Sequence, residues 1–85
     1  MIIVLEHFYM TKSILKIEFD GTKYYYNLKN QLHRENGPAS IYPNGSMFWH
    51  INDKDHRIDG PSSVYNHGDK LWFINDVFIR EFQYD

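Results

Sequence analysis

His33-Arg34-Glu35-Asn36-Gly37-Pro38 returns 23 residues later as His56-Arg57-Ile58-Asp59-Gly60-Pro61. The register then holds through Ser40/Ser63, Tyr42/Tyr65, Gly45/Gly68, Trp49/Trp72, Ile51/Ile74, Asn52/Asn75 and Asp53/Asp76, so that eleven of the 23 positions from His33 to Asp55 are identical. Ile41/Val64, Phe48/Leu71 and Asn36/Asp59 are similar in kind. A degraded copy lies upstream, where Asp20-Gly21-Thr22 stands near the place of Asn44-Gly45-Ser46, one residue out of step. In it Tyr26, Leu28 and Asn30 precede His33 by the spacing at which Trp49, Ile51 and Asp53 precede His56. The repetition breaks off after Asp76, with Ile79-Arg80 in place of His-Arg. A repeat of this length is one supersecondary unit stacked on its neighbours.

Each unit reads as a β-hairpin. Ala39–Tyr42 is a short strand, Pro43-Asn44-Gly45 is a turn because Asn-Gly tolerates positive φ, and Met47–Ile51 is a β-prone aromatic and branched run with no helical period. Asn52-Asp53 turns the chain again as an Asx-type turn, and Gly-Pro opens the next unit. Ile14–Phe19 and Thr22–Leu28 read the same way around Asp20-Gly21, and Ile2–Tyr9 and Val77–Gln83 read as flanking strands. The expected fold is all-β: an antiparallel meander of about three 23-residue hairpin repeats with cap strands. Its parts are N-terminal cap strands at 1–19, a degenerate repeat at 20–32, repeats at 33–55 and 56–78, and a C-terminal cap at 79–85, all in one domain.

Composition narrows the function classes. The 85 residues carry no cysteine, which excludes a disulfide framework or thiolate zinc site, and a net charge of −2 argues against binding driven by nucleic-acid phosphates. The apolar start, Met1–Leu5, is too short for a secretory signal or a membrane span, so a soluble intracellular protein is expected. The 18 % aromatic content is more than so small a core can easily hide. Alternation places Trp49, Ile51, Trp72, Ile74, Tyr26 and Leu28 on one face, beside Ile41 and Val64, as the expected packed core. The other face carries Tyr42, Phe48, His50, Tyr65, Leu71 and Phe73, and is apolar as well.

The 23-residue period, the order aromatic-x-Ile-Asn-Asp followed by His-Arg-x-x-Gly-Pro, and the Tyr-x-x-Gly turn resemble a MORN-type repeat. His33–Ala39 is similar to the His-Arg-x-x-Gly-Pro-Ala variant that is frequent in proteins of bacteriophages and giant viruses. The resemblance covers about residues 20–80 and implies a β-hairpin array that acts by binding, not by catalysis. It further implies a viral protein of the host cytoplasm that engages a host protein and inhibits or redirects it, an antiviral defence component being the expected class. His-Arg stands where Tyr/His-Gly pairs are common in such repeats, and no basic patch is evident, so neither membrane nor nucleic acid is an expected partner.

His33 and His56 recur at one repeat position, which suits a framework role: imidazole stacking on the neighbouring Trp, with the Arg fork on turn carbonyls. A metal-dependent or hydrolytic enzyme using His33 and His56 is the alternative chemistry, and a self-oligomerising structural protein is the alternative binding class. Ser40, Ser46, Ser62 and Ser63 have no nucleophile-elbow context, and no glycine pattern forms a phosphate loop, so no catalytic, metal or cofactor set is expected. His7 has no motif around it. Partner recognition belongs to positions the units do not share: Glu35/Ile58, Pro43/Asn66, Asn44/His67, Met47/Lys70, His50/Phe73, Lys54/Val77 and Asp55/Phe78. With the aromatic anchors added, the expected partner-binding set is Tyr42, Phe48, His50, Tyr65, Lys70 and Phe73.

Overall fold

The computed structural model describes residues 2–5, as backbone, and residues 13–84. His7 and the rest of the expected strand beyond Leu5 lie outside the described residues. Among the described residues ten strands form, and no helix: β1 (Ile2–Leu5), β2 (Ile14–Ile17), β3 (Lys23–Tyr26), β4 (Ser40–Ile41), β5 (Met47–Phe48), β6 (His50–Ile51), β7 (Lys54–Asp55), β8 (Ser63–Val64), β9 (Lys70–Ile74) and β10 (Val77–Phe82). Eight of them make one antiparallel sheet in the order β1-β2-β3-β4-β5-β8-β9-β10, while β6 and β7 pair as a separate ladder. The molecule is a slab of 38 × 28 × 16 Å, one layer thick.

Three turns close on a glycine in the left-handed region: Gly21 (φ 95°), Gly45 (φ 94°) and Gly68 (φ 107°). In the first two, Asp20 Oδ1 accepts from the Thr22 N–H and Asn44 Oδ1 from the Ser46 N–H, each at 2.9 Å. The two turns at Asn52-Asp53 (φ 50° and 68°) and Asn75-Asp76 (φ 49° and 66°) differ from the expected Asx type. Both central residues are left-handed, the mirror-image geometry that matches strand twist in two-residue hairpins. Their carboxylates reach the preceding unit instead of their own turn. Leu32 N–H donates to Asp53 Oδ1 (2.6 Å), and Asp55 N–H donates to Asp76 Oδ1 (2.8 Å).

His33 and His56 join the same seam. The Asn52 N–H donates to His33 Nδ1 and the Asn75 N–H to His56 Nδ1, both at 3.1 Å. The rings therefore accept backbone hydrogen bonds, and the expected stacking on aromatic residues falls to the arginines. Arg34 lies over Tyr25 at 3.9 Å, Arg57 over Trp49 at 4.0 Å and Arg80 over Trp72 at 4.2 Å. Arg34 and Arg57 also donate to the Pro38 and Pro61 carbonyls, at 3.2 and 3.0 Å. A Cβ on Gly60 would sit 2.7 Å from the Arg57 guanidinium carbon, so a side chain there would push the arginine away. The spacing His-Arg-x-x-Gly-Pro is thus the footprint of one folded-back arginine.

These contacts correct two expectations. Tyr25, not Tyr26, occupies the tryptophan column, because the turn at 28–30 holds one residue more than Asn52-Asp53, with Asn30 at φ 62°. The Asn27 side chain organises it, Oδ1 accepting from the Lys29 and Gln31 N–H groups. Leu28 is exposed in that loop. The tryptophan face is also no packed core: Trp49, Ile51 and Trp72 are half-buried and Ile74 is exposed. Tyr25 and Ala39 are the buried hydrophobic residues among those described, accompanied by Ser13, Thr22, His33, Ser40, Ser46, Ser62 and Ser63. Small hydroxyls fill the interior because the single layer leaves little room behind each strand. Met47–Ile51, expected as one strand, divides at Trp49, whose N–H pairs with Ser62 O while its carbonyl accepts from the His56 N–H.

Candidate protein-binding face

Strand register sorts the side chains without ambiguity. Tyr24 opposes Ser40, Ser40 opposes Phe48, Phe48 opposes Ser63, and Ser63 opposes Leu71, so this row shares one face. Buried serines between the aromatic residues leave space into which the rings lean. Tyr24 meets Tyr42 edge-on at 6.1 Å, Tyr42 meets Phe48 at 5.7 Å, and Phe48 meets Tyr65 at 5.4 Å. His67 stacks on Tyr65 at 5.6 Å and is held by Asp69 at 3.0 Å. The Tyr84 N–H and then His67 hold the Asp69 carboxyl below its usual range. A hydrogen bond between the Tyr24 and Tyr42 hydroxyls, with burial, pushes Tyr24 up to about 12. Tyr26 is also raised, first by burial and then by the charges of Glu18 and Asp53.

A trough of about 370 Å³ follows this chain of rings, bounded by Tyr42, Phe48, His50, Asp55, Tyr65 and Phe73. Five of the six residues expected to bind a partner therefore line one depression. Lys70 does not: it opposes Val64 and Phe82 on the other face, with Nζ 5.9 Å above the Phe82 ring. Tyr24 and Asp55 belong to the trough and were absent from the expected set. Tyr24 becomes legible once the upstream copy is aligned 24 residues from Phe48 instead of 23. Asp55 is a variable position, but its place beside His50 needs the turn geometry.

Within the trough His50 opposes Asp55 across the β6–β7 ladder, with Nε2 3.0 Å from Asp55 Oδ1. His50 Nδ1 is buried and has no hydrogen-bond partner among the described residues. One unit later the same two positions are Phe73 and Phe78, whose rings pack edge-on at 5.6 Å.

Charge is divided between the faces. Among strand residues Lys23, Lys54, Lys70 and Arg80 stand on the tryptophan side, which also carries the stacked Arg34 and Arg57. The trough side carries Asp55 and Glu81, with Lys16 lying over Tyr26 at 4.5 Å. A second depression of about 720 Å³ on the tryptophan side runs between the two Gly-Pro loops, and Arg34, Arg57, Glu35 and Asp59 all line it. Among the described residues no three His, Asp or Glu side chains gather as metal ligands, and no helix is long and apolar enough to cross a membrane. Searches of protein-family models, curated proteins and solved structures find no match to this chain.

Proposed function

We propose that this protein is an array of about three MORN-like hairpins that works as a binding module, its aromatic trough engaging a host protein and inhibiting or redirecting it. The virus-type repeat signature makes a component of antiviral defence the target class. One observation carries the reading: a connected row of aromatic rings opens to solvent on one face of a slab only 16 Å thick. Such rings supply large contact area at small entropic cost and dominate interface energetics. The test compares three forms of the chain as bait for host lysate: wild type, Phe48→Asp on the trough and Lys23→Glu on the opposite face. The expected result is a protein retained by wild type and Lys23→Glu and lost by Phe48→Asp, with Phe48→Asp still unfolding cooperatively. Equal retention by all three forms overturns the assignment of the face.

A second reading, self-association, is favoured by the C-terminal edge. Every residue of β10 is exposed, and Ile74, Val77, Phe78, Ile79, Phe82 and Tyr84 form an apolar margin along this edge strand of the described sheet.

A further inference from the structure

The units of this fold act as internal controls for one another. The cross-strand position held by His50 and Asp55 is held by Phe73 and Phe78 in the next unit and by Tyr26 and Leu32 in the one before. Apolar pairs therefore satisfy the hairpin on either side. The polar pair is not required by the strand geometry, and it leaves His50 Nδ1 buried without a hydrogen-bond partner among the described residues. It also puts a carboxylate, 34 % exposed, into a trough walled by aromatic rings.

The opposite face shows what such rings accept. There a guanidinium covers Tyr25, Trp49 and Trp72 at 3.9 to 4.2 Å. Among the described residues the Tyr42, Phe48, Tyr65 and Phe73 rings carry no guanidinium or ammonium, and the His67 ring takes one face of Tyr65 and leaves the other. Ring faces attract cations through their quadrupole, and a nearby carboxylate adds direct charge complementarity. Asp55 and Glu81 supply that charge on the trough side, while most strand-borne cations stand on the other.

We propose that the trough takes an arginine side chain of the partner protein, its guanidinium lying against Phe48 and Tyr65 with Asp55 as counter-charge and His50 positioning that carboxylate. This rests on the reading of the face as a binding surface. The probe is an acetylated, amidated Gly-Arg-Gly peptide titrated into the full chain and followed by amide proton–nitrogen correlation spectra. Peptides with citrulline, which keeps the shape and removes the charge, and with lysine serve as comparisons. The expected result is saturable shifts at Phe48, His50, Asp55 and Tyr65 with the arginine peptide, and about tenfold weaker binding of the citrulline peptide. Asp55→Asn should abolish the difference between the two. The double variant His50→Phe with Asp55→Phe copies the neighbouring unit, so it keeps the test valid should Asp55→Asn not fold, and it too should lose the preference. Equal response to arginine and citrulline, no shifts, shifts confined to the tryptophan face, or a lysine peptide binding more tightly each overturn the proposal. In the lysate comparison, loss of the partner by Phe48→Asp but not by the double variant removes the arginine assignment alone. Retention by both removes the binding face itself.

Discussion

At the scale of single residues, recurrence in sequence corresponds to a recurring hydrogen bond. His33 and His56 perform the same task, accepting the N–H of Asn52 and Asn75, but in different surroundings. His33 is 8 % exposed and His56 is half-buried. Removing an acceptor strands a donor, which costs about 1–3 kcal/mol when the donor is shielded from water and less where water replaces the partner. His33→Ala should therefore cost about 2 kcal/mol and His56→Ala under about 1 kcal/mol, measured by chemical denaturation. Equal costs would show that burial does not govern the seam. Tyr24 gives a second prediction. Its hydroxyl is raised to about 12 from an ordinary 10.0 by the hydrogen bond to Tyr42. A group raised in the folded state contributes stability that is full below its unfolded value and lost as pH climbs through its folded value. Stability should accordingly fall from about pH 10 to about pH 12. Tyr42→Phe should weaken that dependence and bring the Tyr24 titration, followed by tyrosinate absorption, back toward the ordinary value.

At the scale of elements, the turns were the most legible part. Asn44-Gly45 and Asp20-Gly21 announce hairpins because only a few residue types enter the left-handed region at low cost. Asn52-Asp53 and Asn75-Asp76 were legible as turns, yet their mirror-image form was not, since Asn-Asp satisfies either geometry. The division of Met47–Ile51 was hidden for a related reason: Trp49 has strand propensity, but its backbone partners lie in Ser62 and His56. The β6–β7 hairpin also tests what its polar pair does for stability. His50 and Asp55 are 17 % and 34 % exposed as side chains, so their attraction is partly screened, while Nδ1 finds no hydrogen-bond partner among the described residues. Replacing a partly buried ion pair by apolar residues of suitable shape is neutral to stabilising. His50→Phe with Asp55→Phe should leave the melting temperature unchanged or raise it by a few degrees, equivalent to about 0–1 kcal/mol. A fall of several degrees would make the pair structural.

At the scale of the whole molecule, a single-layer sheet has two faces and two edges to manage. The tryptophan face is covered from within, each ring by an arginine of its own chain. Among the described residues the trough rings Tyr42, Phe48, Tyr65 and Phe73 carry no such cover, and β10 is exposed throughout. Ile79, which replaces the histidine of the repeat, sits at a bulge between Phe78 and Arg80 and offers no ring nitrogen to a following turn. The histidine hydrogen bond that His33 and His56 make to a later turn therefore has no counterpart at Ile79, while the strand's outer edge stays apolar. If that edge pairs with a second copy, light scattering should show mass rising with concentration, and Ile79→Lys should restore the monomer, as charge on edge strands does generally. A monomer at every concentration in the wild type would exclude self-association.

The amino-acid sequence by itself determined the all-β class, the 23-residue recurrence and the turn positions, because these depend on residue types and their spacing. Only the tertiary structure decided which face is covered and which is open. It moved Tyr25 into the tryptophan column, placed Lys70 away from the trough, and set Asp55 against His50. The physical reason is the two-residue period of a strand. One additional residue in a turn, as at 28–30, sends every later side chain to the opposite side, and the hydrogen-bonded register shows which side each one takes.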